Sequence, residues 1–487
     1  MPLYEYYENA ENKVQLSDAS REDIVIGTEK VIKSLASVLK GAAAVDGWYG
    51  VDWIGMKDKL EQECAEETEF ISAAAMFREE ASIAEYQKTY VTEDPSFGWV
   101  NDSGVITDIL DPEKIEQVKE RICRNKEKGI TTVIYGSGAA AEPLQSELDL
   151  IIYADFTMQP LLWKMWGGEL VPFERTEPDA GYEWKRYYYS DFYLLLRQKK
   201  DLLGKMNYYV DAVHSDCLKL MGRAAYDEMI DAVVSQPIKQ VKILQPGPWG
   251  AYRYKDLWDV KGLECNAWNE LAGIELSILV DVGREEMIKM PAQNIMQRPV
   301  QMVGEYIHHT YPDLMPLQVW LDDGYFPEEV SIERAAMPIH DHPSSKYVKD
   351  HFNEPLGRYE TYYIVESYKG SATLMGYKET ADLEEWERKC CESQNLEPID
   401  NWQDYVCRWD TNPGDLFLIP PGTSHGHGGN QMILEMDTGP SVAGTEYSFF
   451  TYDFARKTWD DDTKTMTARP MRMHTKHCLL YTSITHV

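Results

Sequence analysis

The residues best suited to chemistry gather late in the chain. Eight of the eleven histidines lie at or after His340, and three of them stand beside strand signals. In Ile339-His340-Asp341-His342-Pro343 two imidazoles are separated by one residue. On a β-strand, residues i and i+2 share a face, so both rings can reach one ion. Glu360 opens the run Glu360-Thr361-Tyr362-Tyr363-Ile364-Val365-Glu366 and offers an oxygen ligand. Further on, Leu416-Phe417-Leu418-Ile419-Pro420-Pro421-Gly422-Thr423-Ser424-His425 reads as a strand, a Pro-Gly turn and a histidine. Three imidazoles and one carboxylate suit a divalent transition metal, zinc first and iron or manganese next, with room for a substrate oxygen. Each piece alone has an ordinary reading: a histidine at a rim, a solvated strand end, an HxH on a loop. The combination in this order is what points to a metal. His427 competes with His425 because it shares a face with it. His308, His309, His351, His474, His477 and His486 read as structural or surface residues.

These side chains need a rigid β framework. From about Pro237 the chain is rich in short β-like runs separated by Gly, Pro and Asp, such as Leu317-Gln318-Val319-Trp320, Tyr362-Tyr363-Ile364-Val365 and Met432-Ile433-Leu434. Many short strands with frequent turn signals imply a sandwich or barrel. Leu383 to Asn395 reads as a charged surface helix inserted between strands.

The first half has a different grammar. Asp111 and Pro112 are N-cap and first residue of a helix carrying Ile115, Val118 and Ile122 at helical spacing, stopped by Gly129. Thr131 to Tyr135 is a β run ending in Gly136-Ser137-Gly138, and Leu150 to Tyr153 is a second apolar strand. Strand, glycine turn, helix, strand predicts a parallel α/β sheet. The expected division is therefore an α/β domain over residues 1–236 and an all-β domain over 237–487, with Tyr188 to Val234 as mainly helical connecting structure. Asp46-Gly47-Trp48-Tyr49-Gly50-Val51-Asp52-Trp53 sits where a phosphate loop would. However, Asp52 and Trp53 follow Gly50 where a P-loop needs GK[ST], and Gly136-Ser137-Gly138 lacks the third glycine of a dinucleotide fingerprint. Both read as tight turns, in a domain resembling a P-loop kinase-type domain that has lost its phosphate grip.

Composition excludes several classes. With 44% apolar residues the chain can bury real cores, and a formal charge of −33 disfavours both nonspecific nucleic-acid binding and an anionic membrane surface. No secretory signal and no membrane span are visible. Eight scattered cysteines without a CxxC motif fit reduced thiols in a cytoplasm. A homo-oligomer is compatible with the sequence.

The two histidine blocks resemble the paired motifs of cupins, and among cupins those of class I mannose-6-phosphate isomerases. That family places a metal-ligating pair in a QVHP-like segment, then a KxE segment and a PPGTxHA-like segment. The counterparts are His340-Asp341-His342-Pro343, Arg358-Tyr359-Glu360 and Pro420-Pro421-Gly422-Thr423-Ser424-His425. The likeness extends to Pro316 through Asp322, Leu434 through Asp437 and Tyr452 through Arg456. Gly247-Pro248-Trp249-Gly250 resembles the segment opening the isomerase region of longer bacterial relatives, which also carry a kinase-like N-terminal portion. The resemblance implies a jelly-roll cupin barrel and metal-dependent aldose–ketose isomerisation of a sugar or sugar phosphate. Glu435, matching a family carboxylate, would be the base, and Arg358 would steady an oxyanion or a substrate anion. His340 stands where the family has glutamine, Arg358 replaces a lysine, and Phe450 falls where bacterial enzymes carry a basic residue. The last departure weakens the expectation of a phosphorylated substrate. Two other classes use the same features: a different metal-dependent cupin enzyme, such as an iron oxygenase, and a non-catalytic sugar-binding or regulatory protein.

Overall fold

The computed structural model describes residues 4–478 except 66, 258–262, 264, 266–267, 313, 327, 440–446, 459, 461–462, 464, 466, 468 and 476. The chain forms two compact units, one of Glu8–Gln240 with Glu275–Asp313, the other of Met1–Tyr7, Val241–Ile274 and Leu314–Val487. They are not consecutive in sequence, which corrects the division at 236/237. Segment 275–313 joins the first unit through its strands. Ser277–Asp281 pairs with Glu11–Lys13 and Ile288–Pro291, and Asn294 Nδ2 donates to the buried Asp155 carboxylate at 2.9 Å.

The first unit is built on a seven-stranded sheet. Its spatial order is Val25–Ile26, Lys219–Gly222, Tyr208–Asp211, Leu150–Asp155, Ala42–Gly47, Thr131–Tyr135, Thr68–Ser72. The last five of these run parallel. Ala42–Gly47 is buried along its whole length, as a central parallel strand covered on both faces must be. Gly47 is required there, since a Cβ would meet the carbonyl oxygen of Ala154 on the neighbouring strand at 1.9 Å. The helix Pro112–Lys128 is capped by Asp111, buries Ile115, Val118 and Ile122, and ends on Gly129 in the left-handed region. The segment expected as helical connection, Tyr188 to Val234, instead supplies two strands besides its helices. Tyr208–Asp211 and Lys219–Gly222 pair with each other. At four residues apiece they are too short to display a strand period, and the buried Lys219–Asp211 ion pair (3.1 Å) disguises them as polar.

The two glycine-bearing segments of this unit meet on one carboxylate. Asp46, 1% exposed, accepts from the amides of Gly138 (2.9 Å) and Ala140 (2.8 Å) and from Gln198 Nε2 (2.9 Å). The amides that could cradle a ligand anion are thus taken by the chain's own acid, whose pKa burial pushes up to about 6 against these hydrogen bonds. Asp52 caps the helix Trp53–Glu63 by accepting from Gly55 N at 3.0 Å. Asp46→Ala is expected to destabilise the unit by about 2–4 kcal/mol, because four buried donors, the amides of Gly47, Gly138 and Ala140 and Gln198 Nε2, lose their acceptor. The urea midpoint of its unfolding transition is the measurement.

In the second unit a seven-stranded antiparallel sheet runs Tyr4–Tyr6, Lys242–Gln245, Trp268–Ala272, Gln318–Asp322, Gln431–Asp437, Glu360–Ser367, Leu416–Ile419. A five-stranded sheet runs Val406–Asp410, Ala372–Tyr377, His425–His427, Ile339–Asp341, Phe449–Tyr452. Alternation aims Glu360, Tyr362 and Ile364 inward from one strand and Ile433, Glu435 and Asp437 from its neighbour, as the two-residue period requires. The helix Leu383–Ser393 is charged outside, but Trp386 and Cys390, one turn apart, pack with Ile339, Leu374 and Tyr452 of the five-stranded sheet. This core fixes the strand that carries His340. Among the described residues, no helix is long and apolar enough to cross a membrane.

Candidate metal centre

Strand register brings the expected ligands together. His340 is the cross-strand partner of His425 in the five-stranded sheet, and His342 follows two residues on. Glu360 reaches them from the inner face of the other sheet. The four side chains are buried, and one ligand atom from each lies within 4.8 Å of the others. His427, the alternative to His425, is not in this group. Its Nδ1 accepts from Gly429 N at 3.0 Å, which turns the ring to a different use. His474 Nδ1 accepts from Phe450 N, His351 stacks on Tyr347, and His477 meets the Tyr347 hydroxyl. His308 and His309 lie on the helix Pro299–Thr310 of the other unit. His486 lies outside the described residues.

The ring tautomers follow from the backbone. Nδ1 of His340 lies 2.7 Å from the Pro338 carbonyl, Nδ1 of His342 3.0 Å from Tyr447 O, and Nδ1 of His425 2.8 Å from Thr423 O. A carbonyl only accepts, so each Nδ1 carries the hydrogen and each Nε2 presents its lone pair. Nε2 of His342 and of His425 face the same Glu360 oxygen at 2.8 and 2.7 Å. With neutral rings these are acceptor-to-acceptor contacts, and no hydrogen bond satisfies those atoms. Only a proton or a cation among them resolves the conflict. Lone pairs from imidazoles whose second nitrogen is held by the backbone, plus one carboxylate, form a donor set that fits a divalent transition ion.

The electrostatics agree with that donor set. Burial, aided by the neighbouring rings, holds His340 well below the usual imidazole range, and burial takes His342 down to about 4 against the pull of Glu360. Burial also works to lower His425, but the Glu360 charge outweighs it and leaves the ring raised. Burial likewise opposes the ionisation of Glu360, and the two histidines overcome it to hold the carboxyl well below its ordinary value. Of the three rings, His425 is therefore the one whose proton competes most with an ion for the site. Metal loading is expected to strengthen as pH rises through the imidazole range, with release of protons from the ring nitrogens that take the ion. Metal titrations by calorimetry in buffers of different ionisation enthalpy check the slope and the proton count.

A second cluster adjoins the first. Glu435 pairs across the sheet with Tyr362 and Trp320, and Asp437 with Glu360. Arg358 Nη2 bonds to Glu435 at 2.5 Å and also to Asp437. Burial, then the nearby Glu360 charge, pushes Glu435 up to about 8 against Arg358. Burial raises Asp437 well above its ordinary value. Both clusters open on one pocket whose walls include Trp249, Trp268, Trp320, Met337 and Phe450. Asp437, Trp249 and Trp320 lie in segments that carry the family likeness, but the sequence assigns them no role, and Trp268 lies outside those segments. The one available signal is the Glu435-Met436-Asp437 alternation, which puts two acids on one face.

Comparison with known proteins gives two kinds of match. Residues 27–235 match the model of a domain of unknown function (DUF8485). The chain also shows weak sequence similarity to proteins named mannose-6-phosphate isomerase. It is 28% identical over 112 residues to ManA of Bacillus subtilis, which is 23% of this chain and 32% of that protein. It is 26% identical over 116 residues to the enzyme of Streptococcus mutans, which is 24% and 32%. The match thus spans about a third of each of these two relatives. Among solved structures, the mannose 6-phosphate isomerase of B. subtilis superposes with a TM-score of 0.38 at 18% identity, covering 52% of this chain and 70% of that one.

Proposed function

We propose that the second unit is a cupin enzyme that interconverts an aldose and a ketose, acting on a sugar or sugar phosphate with one divalent ion, zinc first, held by His340, His342, Glu360 and His425. The observation that carries this reading is the convergence of unsatisfied imidazole lone pairs and a carboxylate oxygen beside a second buried carboxyl, Glu435, in the wall of the same pocket. The names of the sequence relatives agree with it. A bound ion would supply Lewis-acid polarisation of the sugar oxygens. The chain does the rest. Glu435 takes the proton from one of the two reacting carbons, C1 or C2, and returns it to the other while the hydroxyl proton passes between the two substrate oxygens, a task suited to a carboxyl poised near neutral pH. Arg358 holds Glu435 in place and steadies the charge that builds on a substrate oxygen as the proton moves. His340, His342 and His425 are fixed by their carbonyl partners, so none of them is free to turn and compete for that proton.

The first unit is read as a degenerate kinase-type domain without a working phosphate grip. That reading is supported by Asp46 filling the amides of the Gly136–Ala140 turn. The test of the enzymatic reading is a panel of aldoses, ketoses and their phosphates assayed with added zinc, manganese or cobalt. Conversion of one member is the expected result. Silence across the panel, with metal bound, would favour a sugar-binding or regulatory protein.

A further inference from the structure

The walls of the pocket carry information that the metal ligands do not. Three tryptophans from different parts of the second unit come together there. Trp268 lies 4.8 Å from Trp249 between ring centroids, inclined at 32°, and 6.3 Å from Trp320, edge-on at 88°. Trp268 is only partly buried, and its indole edge is fixed, because Nε1 donates to Gln245 Oε1 at 2.8 Å. Trp249 and Trp320 differ: their Nε1–H groups are buried and have no acceptor. A buried indole N–H normally has a partner. An aromatic ring and two orphaned donors in one wall suit a ligand that offers C–H faces and hydroxyl acceptors.

Charge points the same way. Among the described residues lining the pocket, Arg358 is the one lysine or arginine, and its Nη2 is already committed to Glu435 and Asp437. Asp322, Glu360 and Glu435 line the same space, in a chain whose formal charge is −33. A phosphate dianion would meet carboxylates and indoles where it needs guanidinium or ammonium groups, and the field of the chain would slow its approach.

We propose that Trp268, flanked by Trp249 and Trp320, is the platform that selects an uncharged sugar over its phosphate ester. The C–H face of the sugar stacks on the Trp268 ring, and its hydroxyls accept from the neighbouring indoles. This rests on the carbohydrate reading of the site and specifies the substrate class. The step is binding only, so it can be measured apart from turnover.

The experiment is calorimetric titration of the zinc-loaded full chain with D-mannose, D-fructose, mannose 6-phosphate and inorganic phosphate. A parent sugar is expected to bind about tenfold more tightly than mannose 6-phosphate, with inorganic phosphate weakest. Trp268→Leu should weaken the parent sugar by about tenfold. Trp268→Phe, which keeps a ring, should weaken it less, and zinc content should be unchanged in both as the check on folding. Tighter binding of mannose 6-phosphate than of both parent sugars, unchanged sugar affinity in Trp268→Leu, or no binding of any sugar would each overturn the proposal. Sugar binding without conversion would leave it standing and sink only the isomerase reading. Conversion of phosphorylated sugars alone would do the reverse.

Discussion

Glu435→Gln in metal-loaded protein is expected to lower sugar conversion by about 10²–10⁴-fold, the range that a positioned acid–base group contributes, while metal content stays at the wild-type value. The substitution keeps the shape of the side chain and its reach toward Arg358. It removes the group that can carry the proton. Glu435 is buried among Arg358, Asp437 and Glu360, so a loss of fold is the competing explanation. Retained metal and an unchanged unfolding midpoint distinguish the two. Full turnover in the variant would remove Glu435 from the reaction and direct attention to Asp437, its neighbour on the same strand face.

The second large effect concerns the ion itself. His342→Ala should reduce metal affinity by more than about a hundredfold, since even an outer partner of a ligand is worth 10–100-fold and this change deletes a donor outright. Conversion should fall with it. His427→Ala is the informative control. The ring is two residues from His425 on the same strand, yet its Nδ1 serves the Gly429 amide, so this variant is expected to keep its metal. Elemental analysis of both proteins, purified without chelator, decides the point. Equal occupancy in wild type and His342→Ala would mean that the ion, if any, lies elsewhere.

How much of this could be read from the sequence depends on the range of the interaction concerned. The strand period places His340 and His342 on one face, and a Pro-Gly turn precedes His425. These are local rules, and the side chains they single out lie within 4.8 Å of one another and of Glu360. The helix Pro112–Lys128 was legible for the same reason, because its cap, its first proline and its terminal glycine all lie within it or next to it. The failures are non-local. Nothing near Trp268 or Trp320 announces that sheet register sets them in one wall with Glu435. Segment 275–313 joins the first unit through strand pairing with residues more than 260 positions earlier in the chain. Tyr208–Asp211 and Lys219–Gly222 fell inside a stretch read as helical, because a buried Asp–Lys pair replaces the apolar alternation that marks a strand. The sequence presents Asp46 as part of a turn. It ends a buried strand and neutralises the amides of a second turn about 90 residues on, a role fixed by the sheet order and not by its neighbours.

The central claim is that the pocket moves a proton between two sugar carbons. The most direct measurement is a time course by NMR in which zinc-loaded protein is incubated with an aldose in D₂O while dissolved oxygen is followed in parallel. The account predicts appearance of the corresponding ketose, no oxygen uptake, and loss of both signals of conversion and binding when the metal is removed by chelation. Oxygen consumption with oxidised products would contradict it in favour of a metal-dependent oxygenase. Bound sugar and bound metal with no ketose formed would contradict it in favour of a protein that recognises carbohydrate without transforming it.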